Sequence, residues 1–209
     1  MKLKEIVPEY HSRNAFIRNL FLGRLRAALF LAEEKLRSRD WLKVADFGCG
    51  EGNLLELIEK GFKNVKTYGI DAEPNVLELT KTLRAEIKVV DIRESGFVNE
   101  FFDIVFCLDT LEHFEDLKKP AMEIKRVLKP DGMLIVSLPT ESMFYKVGRL
   151  LLKGTMSEEK GPCSSPHFHS AKDIREFLAS NSFEVLKKVQ VPSAPFPALF
   201  QIMALKRVN

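Results

Sequence analysis

KVADFGCGEGNLL, residues 43–55, joins a strand to a helix through a glycine-rich turn, and the rest of the chain is read outward from it. Val44 and Ala45 suit a strand interior and Asp46 ends it. Gly48, Gly50 and Gly52 then let the backbone turn sharply and approach a bound molecule without interference from a Cβ. Asn53, with Glu56 three residues on, reads as a capped helix start running to a stop at Gly61. Such a turn serves tight corners as readily as ligands, and Asn53 stands where the dinucleotide fingerprint has its third glycine. Asp71 adds a second signal. It closes the strand-like Val65–Ile70, 19 residues after Gly52, where an open α/β sheet places the carboxylate that holds a ribose diol. The two features predict a nucleoside-containing cofactor.

Downstream, β-branched runs alternate with helical patterns: strand 42–46, helix 53–60, strand 65–70, helix 74–84, strand 86–90, strand 102–108, helix 119–128 and strand 133–138. This alternation predicts a parallel sheet with helices on both faces. Lys129-Pro130-Asp131-Gly132 has proline and glycine where a type I turn wants them. Ser170 with Asp173 forms a capping-box pattern for a helix to about residue 180. Strands at 183–191 and 199–207 follow, and the Pro-Ser-Ala-Pro-Phe-Pro between them is too short for a helical crossover, so they should pair as an antiparallel edge hairpin.

Two segments depart from this rhythm. Arg13–Leu36 reads as one helix whose apolar residues, Phe16, Ile17, Leu20, Phe21, Leu22, Leu25, Leu29, Phe30 and Leu31, wrap most of the wheel, as expected of a helix buried on more than one side or closed over a ligand. Residues 139–169, broken by Pro139, Gly148, Gly154, Gly161, Pro162 and Pro166, form a long excursion of the kind that builds pockets. The expected organisation is therefore an N-terminal helical lid over 1–40 and one domain over 41–209, with a pocket-forming insertion at about 139–169.

Composition narrows the function classes. A chain of 209 residues with 45% hydrophobic and 29% charged content suits one soluble α/β core. The net charge of +3 is too small to imply nucleic acid, although residues 1–43 hold 10 Lys and Arg against 5 Asp and Glu. The apolar run Leu20–Ala32 is interrupted by Arg24 and Arg26 and is shorter than the roughly 20 residues of a membrane span. Peripheral contact with an anionic membrane stays open. Cys49, Cys107 and Cys163 contain no C-x-x-C pair, which points to a reducing, cytoplasmic setting.

The ends of the first four strands carry Asp46, Asp71, Asp91 and Asp109. In a parallel sheet they face one crevice, where like charges are unfavourable unless a ligand brings positive charge and hydroxyl donors. S-adenosylmethionine satisfies the row better than NAD, having a ribose diol, an adenine amino group, an ammonium and a sulfonium. Its carboxylate is expected on the backbone amides around Gly50 and Gly52, and Asp46 near its ammonium. On that reading Asp71→Ala should weaken cofactor binding far more than the fold.

The segments VADFGCGEG, YGIDAEP, KVVDI, FDIVFCLDTLEHFED and LKPDGMLIVSLP together resemble the class I S-adenosylmethionine-dependent methyltransferases, in particular the small-molecule (type 11) group with the ubiquinone-biosynthesis enzymes. The resemblance spans about residues 41–207. It implies a Rossmann-like, doubly wound, seven-stranded sheet of order 3214576 with strand 7 antiparallel. Carried over by residue, Gly48-Cys49-Gly50 and Gly52 become the methionine-binding loop, Asp71 the ribose ligand, Ala72 an adenine neighbour, and Asp91-Ile92 the adenine edge. Leu108 would offer its carbonyl to the ammonium, with Asp109 beside it. Leu111-Glu112-His113 matches the family's L-E-H pattern and places His113 near methyl transfer. His113 and His169 are the candidate proton acceptors, and S-adenosyl-L-homocysteine is the implied product.

Cys163, His167 and His169 form a C-x3-H-x-H pattern, but displacement at a sulfonium needs no metal and none is expected. The expected acceptor is small or lipid-like, its pocket walled by the N-terminal helix and by Met143, Phe144, Tyr145, Leu150 and Leu151. The rival functions are a non-catalytic cofactor-binding module and an NAD-dependent oxidoreductase. The missing third glycine and Asp46 disfavour the oxidoreductase.

Overall fold

The computed structural model describes residues 10, 13–38, 40–140, 167–193 and 197–208. Helix α1 (Ala15–Leu36) precedes β1 (Leu42–Phe47), α2 (Asn53–Gly61), β2 (Val65–Asp71), α3 (Val76–Leu79), β3 (Glu86–Val89), β4 (Phe102–Leu108), α4 (Lys118–Val127), β5 (Leu128–Pro139), α5 (Ala171–Ser180), β6 (Phe183–Val191) and β7 (Phe200–Arg207). Short 3-10 turns occupy Ile92–Glu94 and Leu111–His113. Among the described residues the strands form one seven-stranded sheet of order β3-β2-β1-β4-β5-β7-β6. Neighbours from β3 to β5 are parallel, and β7 runs antiparallel to both β5 and β6. The expected order and edge hairpin are both present.

Side chains alternate across this sheet with the two-residue period of a strand, so each strand feeds two cores. Ala45 and Phe47 of β1, Val105 and Cys107 of β4, and Leu134 and Val136 of β5 pack on one face against Ile124 of α4 and Ile174 and Leu178 of α5. Val44, Ile104, Phe106, Ile135, Ile202 and Ala204 pack on the other face against Leu25, Ala28, Leu31, Ala32 and Leu36 of α1 and Leu54 and Ile58 of α2. The second half of α1 is thus a layer of the core. Its seam, Leu20-Arg24-Ala28-Leu31-Ala32, follows the three-to-four residue spacing of one helix face, and Arg24, with 5% of its surface exposed, lies buried in that seam.

Three local expectations give way. The helix start at residue 53 is capped by Gly52, in the left-handed conformation at φ 76°, and has no side-chain cap; Asn53 bonds Glu51 instead. A Cβ on Gly52 would come within 2.6 Å of Leu83 and 2.9 Å of Thr80, so glycine is required there on both counts. The helix expected over 74–84 is reduced to α3, because Thr80 turns its hydroxyl back onto the Val76 carbonyl at 2.6 Å and a Thr80–Leu83 turn follows. Residues 129–132 bulge out of β5, since Leu128 pairs with Phe102 and Met133 with Ile104. The capping box at Ser170 and Asp173 is formed. No helix among the described residues is long and apolar enough to cross a membrane. Cys163, Met143, Phe144, Tyr145, Leu150 and Leu151, with the insertion over 141–166, lie outside the described residues, as do the side chains of Phe16 and Ile17.

Candidate cofactor and acceptor site

The carboxyl ends of β3, β2, β1 and β4 stand side by side in the sheet, so Asp91, Asp71, Asp46 and Asp109 fall in that order along one edge. The glycine turn after β1 rides on β2: the Gly48 and Cys49 amides both donate to the Ile70 carbonyl, at 2.7 and 3.0 Å. Gly48 has φ 85°, and a Cβ there would lie 2.3 Å from the Thr110 hydroxyl oxygen. Position 48 therefore admits glycine alone without movement of Thr110. Cys49 is buried on this turn, and burial together with the Asp46 and Asp71 charges pushes its thiol well above the usual range. It packs as a small hydrophobe.

Asp71 is tied to the turn it faces. One carboxylate oxygen accepts the Gly50 amide at 2.8 Å and the other the Glu73 amide at 2.9 Å. A carboxylate oxygen has two acceptor directions, so a ribose hydroxyl can still be received at each. The Gly52 amide is committed as well, to the Cys49 carbonyl at 2.8 Å. The amides expected to meet the cofactor carboxylate thus spend their hydrogens inside the protein. Ala72 is exposed beside Asp71.

Asp46 lies one residue inside the end of β1 and is only 4% exposed. Its Oδ1 is buried with no hydrogen-bond partner among the described residues. Desolvation pushes its carboxyl up to about 7; the Asp71 charge adds to the rise and Arg24 opposes it. Asp109 has φ 49°, uncommon for a residue with a Cβ. One of its oxygens accepts the Ser137 hydroxyl at 2.6 Å and the other pairs with the Arg24 guanidinium. The Leu108 carbonyl receives the Thr110 hydroxyl at 3.0 Å. Asp91, at the outer end of the row, caps the turn at Ile92 by accepting the Arg93 amide at 2.8 Å, and it also holds the Arg93 guanidinium. That partner lowers its carboxyl below the usual range. Ile92 is buried beside it.

The L-E-H segment forms the 3-10 turn after β4. Glu112 is 1% exposed, and its carbonyl accepts the Phe168 amide at 2.8 Å, which fastens the end of the insertion to this turn. The His113 and His167 rings meet edge to face with centroids 4.9 Å apart. Ligand atoms of Glu112, His113 and His167 lie within 4.8 Å of one another, the donor types a metal ion can use. His169 Nε2 lies 2.9 Å from the Glu115 carbonyl. A carbonyl only accepts, so Nε2 carries the hydrogen and Nδ1 is the basic nitrogen of the neutral ring.

Sequence reasoning missed Arg24 and Tyr10. Arg24 was visible as a charge on the apolar seam of α1, and the structure turns it into the crevice instead of toward solvent. Its guanidinium donates to the Tyr10 hydroxyl at 2.6 Å and sits 5.2 to 5.9 Å from the ring centres of Tyr10, Phe21 and Phe200. Glu112 was read as part of a motif without a role, and its burial follows from the 3-10 turn that no spacing rule announces.

Residues 45–136 match the family model described as a methyltransferase domain. The malonyl-[acyl-carrier protein] O-methyltransferase of Acetivibrio thermocellus is 28% identical over 196 residues, covering 88% of this chain and 67% of that protein. The ubiquinone biosynthesis O-methyltransferase of Actinobacillus pleuropneumoniae is 33% identical over 138 residues, 56% of this chain and 58% of that protein. The chain spans roughly half to two-thirds of the length of the curated relatives it matches. Among solved structures, the N-methyltransferase NodS of Bradyrhizobium japonicum, in complex with S-adenosylhomocysteine, superposes with a TM-score of 0.66 at 16% identity, over 98% of this chain and 95% of that one. With the 3214576 sheet and the motif segments in place, the chain is similar to these methyltransferases, and residues 45–136 carry its match to the methyltransferase domain.

Proposed function

We propose that the chain is an S-adenosylmethionine-dependent methyltransferase acting on a small or lipid-like acceptor. The observation that carries this reading is the buried Asp46 carboxyl, one oxygen of which has no hydrogen-bond partner among the described residues, in one row with Asp71 and Asp109 at the strand ends. A cationic ligand with hydroxyl donors complements this edge, where Arg24 and Arg93 pair with Asp109 and Asp91 and leave Asp46 and Asp71 without a cation of their own among the described residues. The curated relatives named above, both O-methyltransferases, support the same reading and an oxygen nucleophile.

In this reading Gly48, Cys49, Gly50 and Gly52 supply a close backbone surface, Asp71 takes the ribose diol, and Ala72, Asp91 and Ile92 border the adenine. The Leu108 carbonyl, Asp46 and Asp109 surround the ammonium. When bound, the cofactor supplies an activated methyl group on a cationic sulfur. The protein's work is then alignment, exclusion of water and removal of a proton. His113 takes that proton on the side of the crevice after β4. His169, with Nδ1 basic, is the second acceptor at the same wall. The N-terminal segment up to about Arg24 is the part that can serve as a lid, since Leu25–Leu36 belong to the core layer, and the insertion at about 139–169 is the proposed wall of the acceptor pocket. The buried free thiols of Cys49 and Cys107 are compatible with a cytoplasmic setting.

Calorimetry with S-adenosylmethionine, S-adenosylhomocysteine and NAD tests the cofactor. Micromolar-range binding of the first two without NAD is expected, and NAD binding with silence toward the other two overturns the proposal. Transfer of a labelled methyl group to hydroxylated lipid-like acceptors separates an enzyme from a binding module.

A further inference from the structure

We propose that Lys35 is an acylation site, a nucleophilic amine that takes an acyl group from an anionic, activated donor of the acyl phosphate class. The site lies at the foot of the sheet, at the opposite ends of the parallel strands from the aspartate row, and the inference does not depend on the cofactor.

Among the described residues, five ionisable side chains meet there: Lys35 in the last turn of α1, Asp103 at the start of β4, Lys129 and Asp131 in the bulge of β5, and Lys206 near the end of β7. Both acids are already claimed. Asp103 pairs with Lys129 at 2.7 Å, and its other oxygen accepts the Lys43 amide at 2.9 Å. The Asp131 carboxylate pairs with Lys206 at 3.3 Å. The Lys43 ammonium turns away onto the Phe101 ring, 3.9 Å from its centre. Lys35 also reaches Asp131, but it donates to the backbone carbonyl, which is neutral. Within this group three cations face two anions, and the half-buried Lys35 holds the charge in excess.

A lysine in the last turn of a helix is ordinarily kept protonated by the helix dipole. Here burial, with the like charges of Lys129 and Lys206, outweighs the pull of Asp103 and Asp131, and the amine titrates below the usual lysine range. More of it is neutral near neutral pH than of an ordinary lysine, and the neutral amine is the nucleophile. Lys129 and Lys206 flank it and present positive charge to an arriving phosphate. In the transfer the Lys35 Nζ lone pair forms a bond to the acyl carbon, the bond from that carbon to the phosphate oxygen breaks, and the amine proton leaves with the phosphate. The product amide keeps one N–H for the Asp131 carbonyl, so the bond that fastens α1 to the β5 bulge survives. What remains charged is two ion pairs, Lys129 with Asp103 and Lys206 with Asp131. Acylation thus removes the surplus charge and leaves the group in balance.

The test treats the full chain with acetyl phosphate and follows each acetylated lysine against time by peptide mass spectrometry. At about pH 7.5 Lys35 should react several-fold faster than Lys129 and Lys206, and its lead should shrink toward about pH 10, where ordinary lysines deprotonate. Lys206→Gln takes away a neighbouring cation and leaves the Asp131 carboxylate to Lys35, so it should slow acetylation of Lys35 several-fold. The exposed pair that it removes contributes little to stability, so the melting temperature should not move. Acetylation of Lys35 no faster than that of Lys129 and Lys206 overturns the inference. So does a folded Lys206→Gln protein whose Lys35 reacts as fast as in the wild type, the behaviour of a lysine that is merely accessible.

Discussion

Asp46→Asn is expected to stabilise the ligand-free protein above neutral pH and to weaken cofactor binding at the same time. In the folded chain burial raises the Asp46 carboxyl to about 7 from an ordinary value of 3.8. Between those two values the folded state binds a proton that the unfolded state has released, so stability falls as pH rises from about 4 and levels off above about 7. A rise of about three units at ~1.4 kcal/mol each gives a ceiling of roughly 4 kcal/mol for the stability lost across that window. Asparagine resembles the protonated acid in shape and cannot ionise. A gain of about 1–2 kcal/mol is therefore expected at pH 5, rising to about 4 kcal/mol at pH 8. Guanidinium unfolding of the ligand-free wild type and variant at half-unit steps from pH 5 to 8.5 measures this, and their difference cancels every other titrating group that the substitution leaves alone. Two stability curves that run parallel across the range would falsify the claim that Asp46 is a desolvated acid.

Asp71→Ala should destabilise the ligand-free protein by about 2–4 kcal/mol as well as weaken the cofactor, because its carboxylate holds the Gly50 and Glu73 amides; thermal melts with and without S-adenosylhomocysteine read both effects. Gly48→Ala should cost about 2–3 kcal/mol from its left-handed backbone and its clash with Thr110, and adding Thr110→Ala should recover the steric share, which a double-mutant cycle of denaturation midpoints resolves. His113→Ala should lower turnover about 10²-fold with cofactor affinity unchanged, measured by labelled methyl transfer beside calorimetry; a loss confined to affinity would remove His113 from the proton path.

The sheet was legible because two independent periodicities agreed. Strand runs near Val44, Val65, Val105 and Ile135 carry β-branched residues bounded by turn residues, and successive strand positions alternate between the two cores. Where local chemistry competes with the pattern, the reading failed. Thr80 spends its hydroxyl on a carbonyl of its own helix and ends α3 early, and nothing in a hydrophobic period reports that choice. Gly52 took the cap from Asn53 because Thr80 and Leu83 crowd position 52, a contact that exists only after β2 and α3 are folded together. The change in the expectation for Asp71→Ala has the same origin. Its spacing from Gly52 was readable, but its bond to Gly50 depends on how the turn lies across β2.

Arg24 shows how far the candidate site departs from its motif. An arginine on the seam of Leu20, Ala28, Leu31 and Ala32 would leave a lone charge in an apolar core if α1 packed wholly on hydrophobic neighbours. The seam instead runs past the end of the sheet, where β4 finishes and Asp109 stands, so the charge marks the point at which core gives way to crevice. Four aspartates along one edge and one arginine on the covering helix are complementary halves of one electrostatic problem. A cluster of carboxylates at the strand ends requires a cation in the empty protein and another in the loaded one. Arg24 supplies the first by its ion pair with Asp109, and in the proposed function a cationic cofactor would supply the second. On this reasoning α1 is retained over the site in both states, and the affinity of the cofactor should fall when the helix is shortened to begin after Arg24 even though the glycine turn and every aspartate of the row are untouched.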